Sequence, residues 1–150
     1  MVRHKNRYIV VQIGLLYTKE NTLMKIPHEL IALSIKEKVQ QLHGDFGEAA
    51  IRAGFTAKYC NEYTRIAIIR VRHGPHRLVT SSIPFIRKLN KIKVSMSILY
   101  IGATIRKCFS FIKQYQEQSF EKMCDQYKTP EELEAIRNVI TDFEKILKSI

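Results

Sequence analysis

The feature that most constrains this chain is the order in which β-branched runs alternate with segments of helical period. Residues 7–16, 55–61, 64–72 and 93–101 are rich in Ile, Val, Tyr and Phe and bounded by turn-forming residues, so each predicts a strand. The second and third flank a short connection at residues 61–64, the pattern of a hairpin. In the fourth, Val94, Met96, Ile98 and Tyr100 fall on one side and Ser95 and Ser97 on the other.

Helical spacing fills the gaps. Ile31, Ile35, Val39 and Leu42 repeat at helical intervals after Pro27 and before Gly44. Val79, Ile83 and Ile86 form a second stripe after Pro75, and Pro84 inside it should kink the helix or shift its hydrogen bonding. A third helix starts at Thr104, whose hydroxyl can cap free amides, and runs to about Lys128. A fourth opens on Thr129-Pro130-Glu131-Glu132, a capping box with proline at the first helical position. Its stripe is Leu133, Ile136, Ile140, Phe143 and Leu147.

The resulting order, β-α-β-β-α-β, predicts an α+β, ferredoxin-like (split β-α-β) sandwich. Its expected form is a four-stranded antiparallel sheet with two helices on one face and two extra C-terminal helices. We expect one domain over residues 1–150, with a core at 1–103 and a helical extension at 104–150. The extension either covers the open sheet face or offers Leu133, Ile136, Ile140 and Phe143 to a protein partner.

Charge narrows the function. Lys and Arg total 25 against 14 Asp and Glu, for a net +11. Residues 1–107 hold 19 cationic and 6 acidic side chains, a net +13, whereas residues 108–150 hold 6 and 8. A basic body with a slightly acidic tail points to a polyanion held by the body. The three cysteines are too far apart for a metal knuckle and read as small buried hydrophobes. No stretch approaches the roughly 20 apolar residues of a membrane span, and the N-terminus lacks the shape of a signal peptide, so a soluble intracellular protein is expected.

The sequence contains no GxGxxG, Walker, GxSxG or HExxH pattern. His73-Gly74-Pro75-His76 could supply half a metal site, but no third ligand lies near it in sequence, so no metal or cofactor is expected. An acylphosphatase-type enzyme would need an anion-binding loop ahead of Asn61 and Arg65, and no suitable loop precedes them. The basic residues are better placed. In an extended segment Arg3, Lys5 and Arg7 would point to one side, and Arg70 and Arg72 share the parity of Ile66 and Ile68. Arg87, Lys88, Lys91 and Lys93 cluster around the expected end of the second helix. Arg106 and Lys107 lie in the first turn of the third helix, where the dipole disfavours cations unless an anion is expected. The third strand, TRIAIIRVR, has no interior aromatic. Binding by phosphate and shape is therefore favoured over base stacking on the sheet.

Four segments together resemble a known family. MVRxKxRY at the start, HGDFGEAAIRAGFTAKYCNEYTRIAIIRVR in the middle, SSIPFI and GATIRKCFSFIKQY are similar to the Pop-five subunits of eukaryotic nuclear ribonuclease P and ribonuclease MRP. The similarity runs over residues 1–116. The matching positions are Arg3, Lys5, Arg7, Tyr8, Gly44, Phe46, Gly47, Gly54, Phe55, Tyr59, Asn61, Tyr63, Arg70, Arg72, Gly102, Thr104, Arg106 and Cys108. Of these we expect Gly44, Gly47 and Gly54 to serve special backbone angles, and Phe46 and Phe55 the core. The resemblance implies a non-catalytic nuclear and nucleolar subunit that assists a catalytic RNA in precursor tRNA 5′ maturation and, in the MRP form, precursor rRNA cleavage. The implied partners are ribonuclease P RNA, MRP RNA and the particle's TIM-barrel-like subunit. The expected RNA contacts are Arg3, Lys5, Arg7, Arg70, Arg72, Arg106 and Lys107, with Lys58 a weaker candidate. The rival reading is a protein-interaction module whose charge is incidental.

Overall fold

The computed structural model describes residues 3–16, 26–61 and 64–124, together with Glu131 and Glu134. The fourth helix expected from the sequence, with Leu133, Ile136, Ile140 and Phe143, lies outside the described residues, as does Tyr63. The chain divides into two compact units, one ending at Cys108 and one beginning at Phe109.

The first unit is an α+β assembly around an antiparallel sheet. In chain order its elements are β1 (Asn6–Leu15), α1 (His28–Arg52), β2 (Thr56–Cys60), β3 (Ile66–Arg72), α2 (His76–Ser82), β4 (Lys88–Leu89), β5 (Ile92–Gly102) and the first turn of α3 (Ile105–Cys124). The sheet has five strands, in the order β2-β3-β1-β5-β4, where four were expected. The added strand is β4, two residues long and paired with the start of β5 through Leu89↔Ile92. Asn90 turns the corner at φ 58, a left-handed conformation that asparagine tolerates. This hairpin replaces the expected end of the second helix. Pro84 lacks an N–H, so α2 stops at Ser82 and a 3-10 turn at Ile83–Phe85 leads into it. Arg87, Lys88, Lys91 and Lys93 therefore sit on or beside an edge hairpin, not at a helix C-terminus.

One face of the sheet carries the core. Ile9, Val11 and Ile13 of β1, Ala67, Ile69 and Val71 of β3, and Val94 and Met96 of β5 pack with Ile31, Ile35 and Val39 of α1 and Val79 of α2. The inward row of α1 keeps a strict four-residue step through Ile31, Ile35, Val39, His43, Gly47 and Ile51. Leu42, expected in that stripe, falls off it and is 46% exposed. The helix does not end at Gly44 either. Gly44 breaks it at φ 71, ψ −166, and helical geometry resumes to Arg52. That break sets the second segment so that Gly47 and Ile51 face inward. Phe46, expected in the core, is instead 82% exposed, while Phe55 is buried as expected. Gly47 has no unusual angle; an added Cβ would lie 2.5 Å from the His43 Cβ, so its role is close approach.

The Gly44 conformation is essentially restricted to glycine, and nothing lies within 4 Å of where a Cβ would be. Gly44→Ala is thus expected to cost about 1–3 kcal/mol purely through backbone strain, read as a lower urea midpoint with an unchanged slope.

Two bulges reset the pattern of the strands. Val10 pairs with Tyr100 and Val11 with Ile98, which leaves Leu99 as the extra residue. Tyr100 consequently changes face and does not continue the Val94, Met96, Ile98 row. Likewise Ala57 pairs with Ile69 and Tyr59 with Ile68, so exposed Lys58 is the extra residue of β2. The β2–β3 hairpin forms as expected. Asn61 holds its turn, its Nδ2 donating to Tyr59 Oη at 2.8 Å and its Oδ1 accepting from the Thr64 N–H at 3.2 Å. Burial pushes the Tyr59 phenol above its ordinary pKa, an effect the Asn61 bond partly offsets.

In the second unit, Phe109, Ile112 and Gln116 of α3 are buried, and the rings of Phe111 and Tyr115 stack with centroids 6.0 Å apart. Among the described residues, no helix is long and apolar enough to cross a membrane.

Candidate nucleic-acid interface

Antiparallel pairing brings the start of β1, the end of β3 and the end of β5 to one end of the sheet. Asn6 lies opposite Arg72, Tyr8 opposite Arg70, and on its other side Tyr8 pairs with Gly102. Residues more than 60 positions apart in β1 and β3 thus become neighbours. Because Gly102 precedes α3 by three residues, Arg106 and Lys107 arrive at the same end. Arg3 and Lys5 reach it from the N-terminal side, where the Lys5 carbonyl accepts the His73 N–H at 2.8 Å.

The two arginines of β3 are held in place. Arg70 Nε donates to the Gly54 carbonyl at 3.4 Å, a long bond, and the Arg72 side chain lies across Gly54. A Cβ at Gly54 would stand 3.3 Å from both Cγ and Nε of Arg72, and Gly54 also has φ 76. This glycine therefore serves both the turn into β2 and the seating of Arg72. Arg106 and Lys107 are exposed in the first turn of α3, and the Lys107 N–H is capped by Thr104 Oγ1 at 3.3 Å. Among the described residues, no ion pair involves Arg70, Arg72, Arg106 or Lys107. Cations at a helix N-terminus without a neutralising carboxylate leave a positive field that an incoming anion can satisfy.

The pairing also separates residues that the sequence groups together. Arg7 pairs with Val71 and takes the parity of Ile9, the face of α1 and α2; Arg70 and Arg72 take the parity of Ile68, the opposite face. Lys58 lies on edge strand β2, two residues along from Thr56, which pairs with Arg70. The lysines of the β4–β5 hairpin are at the other end of β5, about 30 Å away at 3.3 Å per residue. Arg77, which the sequence patterns do not single out, enters through the fold: it follows His76 at the start of α2 and acts electrostatically on it.

Cys108 explains a motif position without invoking chemistry. It is buried, its Sγ–H donates to the Tyr8 carbonyl at 3.5 Å, and a Cβ on Gly102 would meet its sulfur at 2.9 Å. Burial pushes its thiol up to about 11, partly offset by a backbone bond from Gly102, so it stays protonated at neutral pH. Cys60 is only half-buried, and the side chain of Cys124 lies outside the described residues. Among the described residues, no three His, Cys, Asp or Glu side chains gather into a possible metal site.

The fold and this end of it define a class, an antiparallel α+β protein with a polycationic sheet end built from both termini of the first unit. The profile of the Rpp14/Pop5 family matches residues 7–113, and the chain belongs to that family. It is 32% identical to the zebrafish (Danio rerio) ribonuclease P/MRP protein subunit POP5, over 93% of this chain and 85% of that protein. The human protein of the same name is 30% identical over 94% of this chain and 88% of its own length. The plant counterpart from Arabidopsis thaliana, described as a probable POP5 subunit, is 28% identical over 97% of both. Among solved structures, a chain of yeast ribonuclease MRP shares the fold with a TM-score of 0.55 at 15% identity, over 85% of this chain and 99% of that one.

Proposed function

We propose that this protein is a non-catalytic subunit of the ribonuclease P/MRP ribonucleoprotein and that its basic sheet end grips phosphates of the catalytic RNA. The observation that carries the reading is the convergence at one sheet end of Arg3, Lys5, Arg7, Arg70, Arg72, Arg106 and Lys107, drawn from two strands, the segment before β1 and a helix start. In this reading the protein neutralises backbone charge where RNA helices pack, while the RNA performs the hydrolysis that matures precursor tRNA 5′ ends or cleaves precursor rRNA. Lys58, on the edge strand, would contribute a peripheral contact.

The sheet is a ferredoxin-like sandwich in this account, with β2-β3-β1-β5 as its four-strand core and β4 an added edge. Residues 1–150 act as one RNA-binding protein, and the residues beyond the sheet serve a protein neighbour such as the particle's TIM-barrel-like subunit. The protein works in the nucleus and nucleolus. Its similarity to the zebrafish and human ribonuclease P/MRP subunits POP5 supports membership of the particle.

Purification of the tagged full-length protein from cells, followed by sequencing of the bound RNA, tests the proposal. Enrichment of the ribonuclease P and MRP RNAs is expected. Recovery of neither RNA would refute it.

A further inference from the structure

The turn between β3 and α2 gathers a second set of cationic groups on the opposite side of the sheet end from Arg70 and Arg72. The rings of His73 and His76 are stacked, with centroids 5.2 Å apart and planes 17° from parallel. Arg7 of the neighbouring strand β1 and Arg77 of α2 both act on His76, and Lys5 is tied to the turn by its backbone bond to His73. Below its ordinary value, the His76 pKa is held down first by burial and then by His73, Arg7 and Arg77, every one of which acts in the same direction. Two guanidinium groups and two imidazoles have converged, and among the described residues no carboxylate acts on His76.

The Gly74 N–H donates to Nδ1 of His76 at 3.0 Å. In the neutral ring the proton is therefore on Nε2, which remains a donor in both protonation states. An anion placed against the ring favours the charged form of His76, whose Nδ1 then gives up the Gly74 N–H bond to carry the proton.

We propose that Arg7, His73, His76 and Arg77 form a phosphate-binding site for a backbone phosphodiester of RNA, whose filling is coupled to uptake of a proton by His76. This inference rests on the RNA-binding reading above. It adds a contact on the helix-bearing side of the sheet, so that the bound strand passes from one face of the sheet end to the other. The direction of the coupling follows from charge. A phosphate raises the His76 pKa relative to the free protein, so affinity grows as pH falls through the value in the complex, levels off below that of the free protein, and loses the gain again as pH rises through the value in the complex. At alkaline pH the two arginines and the Nε2–H still hold the phosphate, only less tightly.

The test is fluorescence anisotropy of the full-length protein with a labelled oligouridylate, whose bases do not titrate in the window, at constant ionic strength from about pH 8 down to about pH 5.5. Affinity is expected to rise on the order of tenfold, the equivalent of one unit of pKa shift. In the variant His73→Gln combined with His76→Gln the rise between about pH 8 and about pH 5.5, taken relative to that variant's own affinity at about pH 8, should shrink below about twofold. A variant that keeps the full rise assigns the proton to His4, His28 or His43 and overturns the proposal. Salt-sensitive but pH-independent binding overturns it while leaving RNA binding intact, and no binding at any pH overturns both. Proton NMR of the unmodified protein gives an answer that does not depend on the variant's folding. The His76 titration midpoint should move up when oligouridylate is added, and a midpoint that stays in place refutes the coupling.

Discussion

Alanine at Arg70, Arg72, Arg106 and Lys107 together is expected to weaken RNA binding roughly a hundredfold at moderate salt and to flatten its salt dependence. Each phosphate neutralised contributes about 0.7–0.9 to the slope of log affinity against log salt, so four lost contacts should lower that slope by about 3. The loss should be similar for unrelated RNA sequences, because phosphate contacts position a strand without reading its bases. Filter binding across a salt series measures both quantities, and circular dichroism reports whether the variant still folds. The pair Arg106→Ala and Lys107→Ala is the internal control, since both side chains are exposed and their loss should leave the fold intact. Unfolding of that double variant would show the two residues to be structural. A slope unchanged in the fourfold variant would move the RNA to another surface. A wild-type protein whose association is indifferent to salt would instead favour a protein-interaction module.

The largest loss of stability should come from Ile9→Ala. Ile9 lies in the central strand, opposite Ile69 on one side and Ile101 on the other, and it has no solvent-exposed area. Removing three methyl or methylene carbons from a site flanked by two strands and covered by helices leaves a cavity the backbone cannot close, at a cost of about 2–5 kcal/mol. Against a typical total of about 5–15 kcal/mol, that is a large share, and it should appear as a much lower urea midpoint. Phe46→Ala removes more carbon but should change stability by less than about 0.5 kcal/mol, because that ring is already in water. Equal losses at the two positions would mean that the Gly44 break places Phe46 differently in solution.

Most element identities were legible from local chemistry. The β-branched runs became β1, β2, β3 and β5, the four-residue apolar row became α1, and Thr104 caps α3 as its position implied. The parity of Arg70 and Arg72 was likewise readable, because strand alternation is a property of the backbone alone. Where reading failed, the deciding interaction came from another part of the chain. Nothing near Phe46 in sequence reveals that helical geometry resumes after Gly44 and carries the inward row on to Gly47 and Ile51, leaving Phe46 outside it. The bulges at Leu99 and Lys58 are set by the partner strands that leave those residues unmatched. The short β4 depends on Ile92 for its pairing, and its two residues carry too little pattern to announce a strand.

The basic end of the sheet divides along the same line. Composition and charge asymmetry by themselves point to a polyanionic partner and place the cationic excess in residues up to 107. The runs at Arg3–Arg7, Arg70–Arg72 and Arg106–Lys107 are each visible as short clusters, but nothing local relates them. Only the antiparallel register of β1 with β3 and β5 brings them to one place, puts Arg7 on the face opposite Arg70, and adds His76 and Arg77 to the group. Periodicity and capping act over one or two turns of chain, whereas strand order is chosen by burial summed over the whole sheet, and the convergence of charge is a consequence of that choice.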